Sequence, residues 1–267
     1  MRWRAHLKSI VYGSAPGFRG RLPYFGTKVH FPRGSLAFRA ACEQGIYESE
    51  VLRLIEAFAR PGTCYFDVGA HLGLMSIPLL TSVADLRVLA FEPSPNVLPY
   101  LRRTVQESRF AGRWAVIEKA AGRECGTTRF AVSTPKFGLL EGIRSTGRAP
   151  LAGEIEVPLT TLDTEWGAIG RPPVSVIKLD VEGGELDALE GAKDCIRTCR
   201  PVVLAEWNGT NIQAYDLARD AILAMAKALN YGLYGVPALN PVNNPLELRA
   251  TMAQTESFLF LPCVGTA

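Results

Sequence analysis

The 267 residues contain no Cys-x-x-Cys pair, no hydrophobic run of membrane-spanning length, no internal repeat and no Gly-x-Gly-x-x-Gly string. Each absence excludes something. Six widely spaced cysteines at 42, 64, 125, 195, 199 and 263 cannot form a disulfide framework in a chain this long, and no histidine stands near Cys195 and Cys199 to complete a zinc site. Buried free thiols and a reducing compartment follow. The amino terminus, MRWRAHLKSIVYG, lacks a sustained apolar segment and a small-residue cleavage site, so a cytoplasmic protein is expected. Acidic residues are missing from positions 1–42, which carry eight basic ones. The net charge of +3 therefore divides into an arm of +8 and a body of −5, with 21 basic against 26 acidic groups. Such an arm suits an anionic membrane surface, a phosphate-bearing acceptor or a carrier protein, and equally a solvated extension. An acidic body without a recognition module argues against nucleic acid.

What is present is concentrated in three strand ends. In VSVIKLDVEGGELDALEGA, residues 174–192, an apolar strand ends in Lys178, Asp180 and Glu182, which alternate onto one face. A strand buried between helices should be apolar throughout, so charges at its carboxyl end fall where open α/β sheets bind ligands. A Lys178–Asp180 pair that merely plugs the sheet is the alternative. Glu185 and Glu190 on the following helix read as solvated acids.

The second strand end is CYFDVGAHLGLMSIPLL, residues 64–80. A short strand, a turn bracketed by Gly69 and Gly73, and an apolar helix make a nucleotide-type site, with Ala70 and His71 inside the turn. Asp67 just before that turn would repel a pyrophosphate but can hold a cationic amino group. The third is RVLAFEPSPNVLPYLRR, residues 87–103, where Glu92 follows a buried strand and Pro93 opens the way to the next helix. An acid there can accept hydrogen bonds from both hydroxyls of a ribose. Asp67 and Glu92 together fit an adenosine joined to a charged amino acid without a diphosphate, which is S-adenosylmethionine.

FDVGAHLG, AFEPSP and IKLDVEGGELDALEGA, with GIYESEVLRLI at 45–55 and RPVVLAEW at 200–207, resemble the FkbM-type methyltransferases. KxDVEGxE is the most specific of these strings. The resemblance departs at His71, where the family usually has asparagine, and at TVQESRF. It implies an α/β fold of the class I methyltransferase type: a Rossmann-like, mostly parallel sheet with an antiparallel last strand and helices on both faces. It also implies O-methylation of a hydroxyl on a sugar, glycoside, polyketide or related natural-product acceptor.

Candidate cofactor-binding residues are Asp67, Gly69, Ala70, His71, Gly73, Glu92, Pro93 and Asp180. Asp180 is the first candidate for orienting and deprotonating the acceptor hydroxyl, Glu182 the second, and Lys178 holds Asp180 ionised. Asp180, Glu182 and Glu206 could supply oxygen ligands, but their spacing is not diagnostic and no metal is expected. The rivals are an NAD(P)-dependent oxidoreductase on the same sheet and a scaffold that binds cofactor without catalysis.

Residues 1–44 read as a basic extension with a small hairpin at KVHFPRGSLAFRA, and 45–267 as one methyltransferase domain. Within it, residues 133–154 interrupt the alternation as a lid or acceptor-binding insertion. Beyond the strand PVVLAEW, one long helix from Thr210 or Asn211 to about Leu229 is expected, then two strands separated by some 20 residues of weak helical period.

Overall fold

The computed structural model describes residues 2–15 and 20–263. Helix α1 (Arg2–Ser14) is followed by a hairpin of β1 (Arg21–Tyr24) and β2 (Thr27–His30), then α2 (Leu36–Gln44) and α3 (Ser49–Phe58). The hairpin lies earlier than the sequence suggested. Its turn is Phe25-Gly26, both at positive φ, and SLAFRA is helix because Ser35 caps it by accepting from the Phe38 amide. Residues 2–14, within the basic extension, are also helical.

The alternation then runs β3 (Cys64–Val68), α4 (Ser76–Ser82), β4 (Arg87–Phe91), α5 (Leu98–Glu107), β5 (Trp114–Ile117), β6 (Ala120–Ala121), β7 (Gly126–Val132) and β8 (Gly153–Thr160). It continues through α6 (Leu162–Ala168), β9 (Val174–Leu179), α7 (Glu185–Glu190), α8 (Lys193–Cys199), β10 (Val202–Glu206), α9 (Gly209–Ala214) and α10 (Ala221–Ala228). The chain closes with β11 (Tyr231–Gly235), β12 (Asn240–Pro241), α11 (Pro245–Met252) and β13 (Ser257–Pro262). The expected long helix is thus two short ones. Asn208 caps α9, and the chain leaves helical geometry at Asp216, whose φ is +55°, before α10 begins. The weakly periodic stretch holds α11, started by an Asn244 cap and Pro245.

The main sheet has the order β12-β11-β13-β10-β9-β3-β4-β5. Strands β5, β4, β3, β9 and β10 are parallel, and β13 inserts antiparallel between β10 and β11. The expected mostly parallel sheet with an antiparallel last strand is present. A second sheet, β6-β8-β7, stands beside it and carries the 133–154 segment between β7 and β8.

Because side chains alternate along each strand, the sheet divides two cores. Phe66, Val68, Phe91, Ile177, Leu179 and Val203 face one layer of helices. Tyr65, Val88, Ala90, Val176 and Leu204 face the other, where Leu22, Val29, Phe31 and Phe38 of the amino-terminal elements join the same core. This parity decides the site. Tyr65 and Asp67 share a face with Val176 and Lys178, and Asp67 lies opposite Lys178 in register.

Candidate active site

Three turns meet at the carboxyl end of β3, β4 and β9. The turn after β3 is held by the Gly69 and Ala70 amides, both donating to the Phe91 carbonyl, and the Asp180 amide donates to the Val68 carbonyl. Gly69 has to be glycine. Its φ is +81°, and a Cβ would stand 1.9 Å from the Asp180 carbonyl oxygen. Gly73, also at positive φ, lines neither cavity of the site. A Cβ there would meet the Trp114 ring at 2.4 Å, so this glycine serves packing, and its amide donates to the Ala70 carbonyl to close the turn.

Glu92 is almost fully buried and anchored from behind: the His71 amide donates to one carboxylate oxygen at 2.9 Å and the Ser94 amide to the other at 2.8 Å. Burial pushes its pKa up to about 7, against the two amides, which pull it down. Its free lone pairs border a cavity of about 520 Å³ lined by Val68, Phe91, Pro93, Ala120 and Ala121. The His71 ring is held neutral, its pKa lowered to about 4 by burial, so it is no cation at this end of the site.

A second cavity of about 700 Å³ adjoins the first and is lined by Asp67, Ala70, His71, Lys178, Asp180, Glu182 and Glu206. Gly69, His71, Asp180 and Glu182 border both. Asp67 accepts from Ser76 Oγ at 2.5 Å and Tyr65 Oη at 3.1 Å, and burial raises its pKa in spite of Lys178 and these donors. The Lys178 ammonium contacts Asp180 at 2.6 Å, with Lys178 6% and Asp180 31% exposed. Burial alone would lower the Lys178 pKa, but the carboxylates of Asp180, Glu48 and Asp67 outweigh it and hold the ammonium charged.

Glu182 occupies a turn position at φ +60° and pairs with Arg148 of the 133–154 segment. That pairing ties up the second catalytic candidate. Glu206 accepts from the Asn211 amide nitrogen at 3.1 Å, and burial next to Asp180 and Glu185 pushes its pKa up to about 8. Carboxylate oxygens of Asp180, Glu182 and Glu206 lie within 4.8 Å of one another, with Arg148 and Lys178 interleaved. Glu185, read from sequence as solvated, is buried: it accepts from the Val181 and Gly183 amides and so braces the turn after β9.

Four contributors were missed by the sequence reading. Tyr47 and Glu48, the latter in left-handed geometry at the start of α3, line the second cavity. Arg148 arrives from the insertion, and Glu141 anchors that insertion by accepting from Ser94 Oγ, from Asn96 at 2.7 Å and from the Ser133 amide at 2.7 Å. Only Tyr47 and Glu48, inside the quoted string GIYESE, carried a local hint.

A family model described as the methyltransferase FkbM domain matches residues 67–233. The chain belongs to this family. The FkbM domain uses S-adenosylmethionine, and the nicotinamide alternative falls with that assignment. Among relatives, the chain is 28% identical over 203 residues to the 31-O-demethyl-FK506 methyltransferase FkbM of Streptomyces tacrolimicus, covering 65% of this chain and 75% of that protein. It is 26% identical over 161 residues to the hexuronic acid methyltransferase AglP of Haloferax volcanii, covering 59% of this chain and 61% of that one. A solved methyltransferase FkbM from Methylobacillus flagellatus KT superposes with a TM-score of 0.45 at 16% identity, covering 84% of this chain and 53% of that chain.

The residues present fit the cofactor. Glu92, when ionised, is an acceptor-only group, fixed from behind and open toward a slot that Val68, Phe91, Pro93, Ala120 and Ala121 line. The adjoining cavity has five acids, Glu48, Asp67, Asp180, Glu182 and Glu206, against the two bases Arg148 and Lys178, so even with Glu206 protonated at its pKa of about 8 the acids outnumber the bases, which suits a sulfonium and an ammonium. Among the described residues no helix is long and apolar enough to cross a membrane.

Proposed function

We propose that the protein methylates a hydroxyl oxygen of a sugar, glycoside, polyketide or related small acceptor. The observation that carries this reading is Asp180, a half-buried carboxylate that borders both cavities and is braced by Lys178. When bound, S-adenosylmethionine supplies a methyl group already activated by its sulfonium. The chain's own task is therefore alignment and removal of one proton.

In this reading Glu92 receives the ribose hydroxyls, Pro93 and the slot beyond it take the adenine, and Asp67 receives the amino group. Gly69 and Ala70 shape the turn, and His71 lends its amide to Glu92. Asp180 orients the acceptor hydroxyl and accepts its proton, while the Lys178 ammonium offsets its charge. Glu206, with a pKa near 8, is a second proton station on the same wall. Glu182 has the supporting role of fastening Arg148 and with it the 133–154 segment, which acts as a lid on a catalytic domain of residues 45–267. A wall of carboxylates accepts hydrogen bonds from hydroxyl-rich acceptors, and the relatives, a hexuronic acid methyltransferase and a 31-O-demethyl-FK506 methyltransferase, support that class.

The test supplies isotopically labelled S-adenosylmethionine with panels of sugars, glycosides and macrolide alcohols, and locates the transferred methyl by NMR. Label on oxygen is the expected result. Label on nitrogen or carbon, or no S-adenosylhomocysteine release with any panel member, overturns the reading.

A further inference from the structure

Helix α1 presents Trp3, Leu7 and Ile10 to solvent, 65%, 52% and 49% exposed. Positions 3, 7 and 10 follow the i, i+4, i+7 spacing, so the three side chains form one stripe along the helix. The opposite face is occupied by Tyr12, which packs against the main core, and Gly13 on the flank of the stripe lies close to the Phe38 ring of α2. The stripe is therefore turned outward by a seated helix. Arg4 and Lys8 are exposed beside it, and the sequence of α1 includes no acid.

A solvated extension explains the charges but not the stripe, because three large apolar side chains in a row gain nothing from water. The needs of the helix itself do not explain the charges either. Arg4 occupies the first turn, the end of a helix dipole that disfavours cations. A basic group kept at the unfavourable end, bordering an outward apolar face that includes a tryptophan, is what an interfacial helix requires. Lys28 and Arg33 extend the same sign on the hairpin and the following loop, while Arg39 of α2 is paired with Glu43 at 3.9 Å.

We propose that α1 is an amphipathic anchor that lays the protein on an anionic bilayer surface, with Trp3, Leu7 and Ile10 inserted at the headgroup boundary and Arg4 and Lys8 on the lipid phosphates. Charge complementarity selects this occupant, since a neutral apolar partner leaves the basic border unpaired and a nucleic acid leaves the stripe in water. The anchor is coupled to the site by contact. Helix α1 packs on α2, and α2 touches the 3-10 helix Pro135–Leu140, whose Gly138, Leu139 and Leu140 roof the two cavities. The bilayer is thus one helix layer from the segment under which an acceptor enters.

The experiment is sedimentation of the full chain with phosphatidylcholine vesicles, with or without about a third phosphatidylglycerol. Binding to the anionic vesicles should exceed binding to the neutral ones by about tenfold or more and weaken with added salt. Trp3→Ser/Leu7→Ser/Ile10→Ser and, separately, Arg4→Glu/Lys8→Glu should each lower it by about tenfold while melting temperature and S-adenosylhomocysteine affinity stay at wild-type values, since neither set touches the site. Absence of vesicle binding, indifference to lipid charge, or binding untouched by the triple variant overturns the proposal. A molecular mass that doubles with concentration through α1, without vesicle binding, replaces the bilayer with a second copy of the chain.

Discussion

Asp180→Asn keeps the shape of the side chain and removes one negative charge, which separates chemistry from architecture. Stranding a buried cation costs about 3–5 kcal/mol when it loses its sole partner. Lys178 would not be stranded, because Asp67 lies opposite it in register and Glu48 also holds it charged. Asp180 is 31% exposed, so water screens part of what is lost. The stability loss should therefore be about 1–2 kcal/mol, or about 2–8 °C in melting temperature for a domain of this size. Turnover should fall by about 10²–10⁴, the effect of losing an acid–base group, equivalent to about 3–5 kcal/mol of barrier. S-adenosylhomocysteine affinity should change little beside that. Thermal unfolding, isothermal titration and single-turnover rates on one preparation give all three quantities. A stable variant with wild-type turnover refutes the catalytic assignment, and a collapse of the fold refutes the shared-charge argument for Lys178.

Gly69→Ala should cost about 2–5 kcal/mol in denaturant titration, combining left-handed strain with overpacking against the Asp180 carbonyl, and should weaken S-adenosylhomocysteine binding by prising β3 from β9. Glu92 has a folded pKa of about 7 against an ordinary 4.5, so its contribution to stability is present at low pH and lost as pH rises through about 7. Cofactor-product affinity should run the opposite way, rising from about pH 6 to 8 because ribose hydroxyls prefer the ionised acceptor. Glu92→Gln should flatten both profiles, and unchanged profiles remove Glu92 from the site. Arg148→Ala should destabilise by about 3–5 kcal/mol by leaving Glu182 buried and unpaired, and should speed amide exchange across 133–154. Adding Glu182→Gln should restore stability but not the exchange protection; protection that returns would show that Arg148 does not hold the segment.

The strands that build the site were legible because each carries its own signal: five or six apolar residues, then an abrupt charge, then a glycine or proline turn. Register did the rest, since residues two apart share a face, and Asp67, Lys178, Asp180 and Glu206 were all recoverable from it. Arg148 was not. It meets Glu182 from a loop with no period, across 34 positions, and nothing local encodes that contact. Glu185 misled for the converse reason: an acid on a short helix looks solvated unless the amides of the preceding turn are known to point at it. The amino-terminal helix escaped because its exposed stripe and basic residues mimic a solvated extension, and the hairpin was displaced because Phe25-Gly26 is a weaker turn signal than Pro32-Arg33-Gly34.

Strand β13 has a consequence for how the chain reaches this state. Every strand of the candidate site up to β10 is made before residue 207, yet the outer edge of β10 is covered by a strand that begins at Ser257. A growing chain therefore completes its cofactor-facing strands while an apolar edge, Val203 to Ala205, stays unpaired for some fifty further residues. Synthesis leaves that edge open until Phe258 and Leu259 arrive, one on each face of the sheet. Stalling within β11 to α11 would release a molecule with an assembled site and a sticky flank, so the final strand acts as the chain's safeguard against pairing with its neighbours.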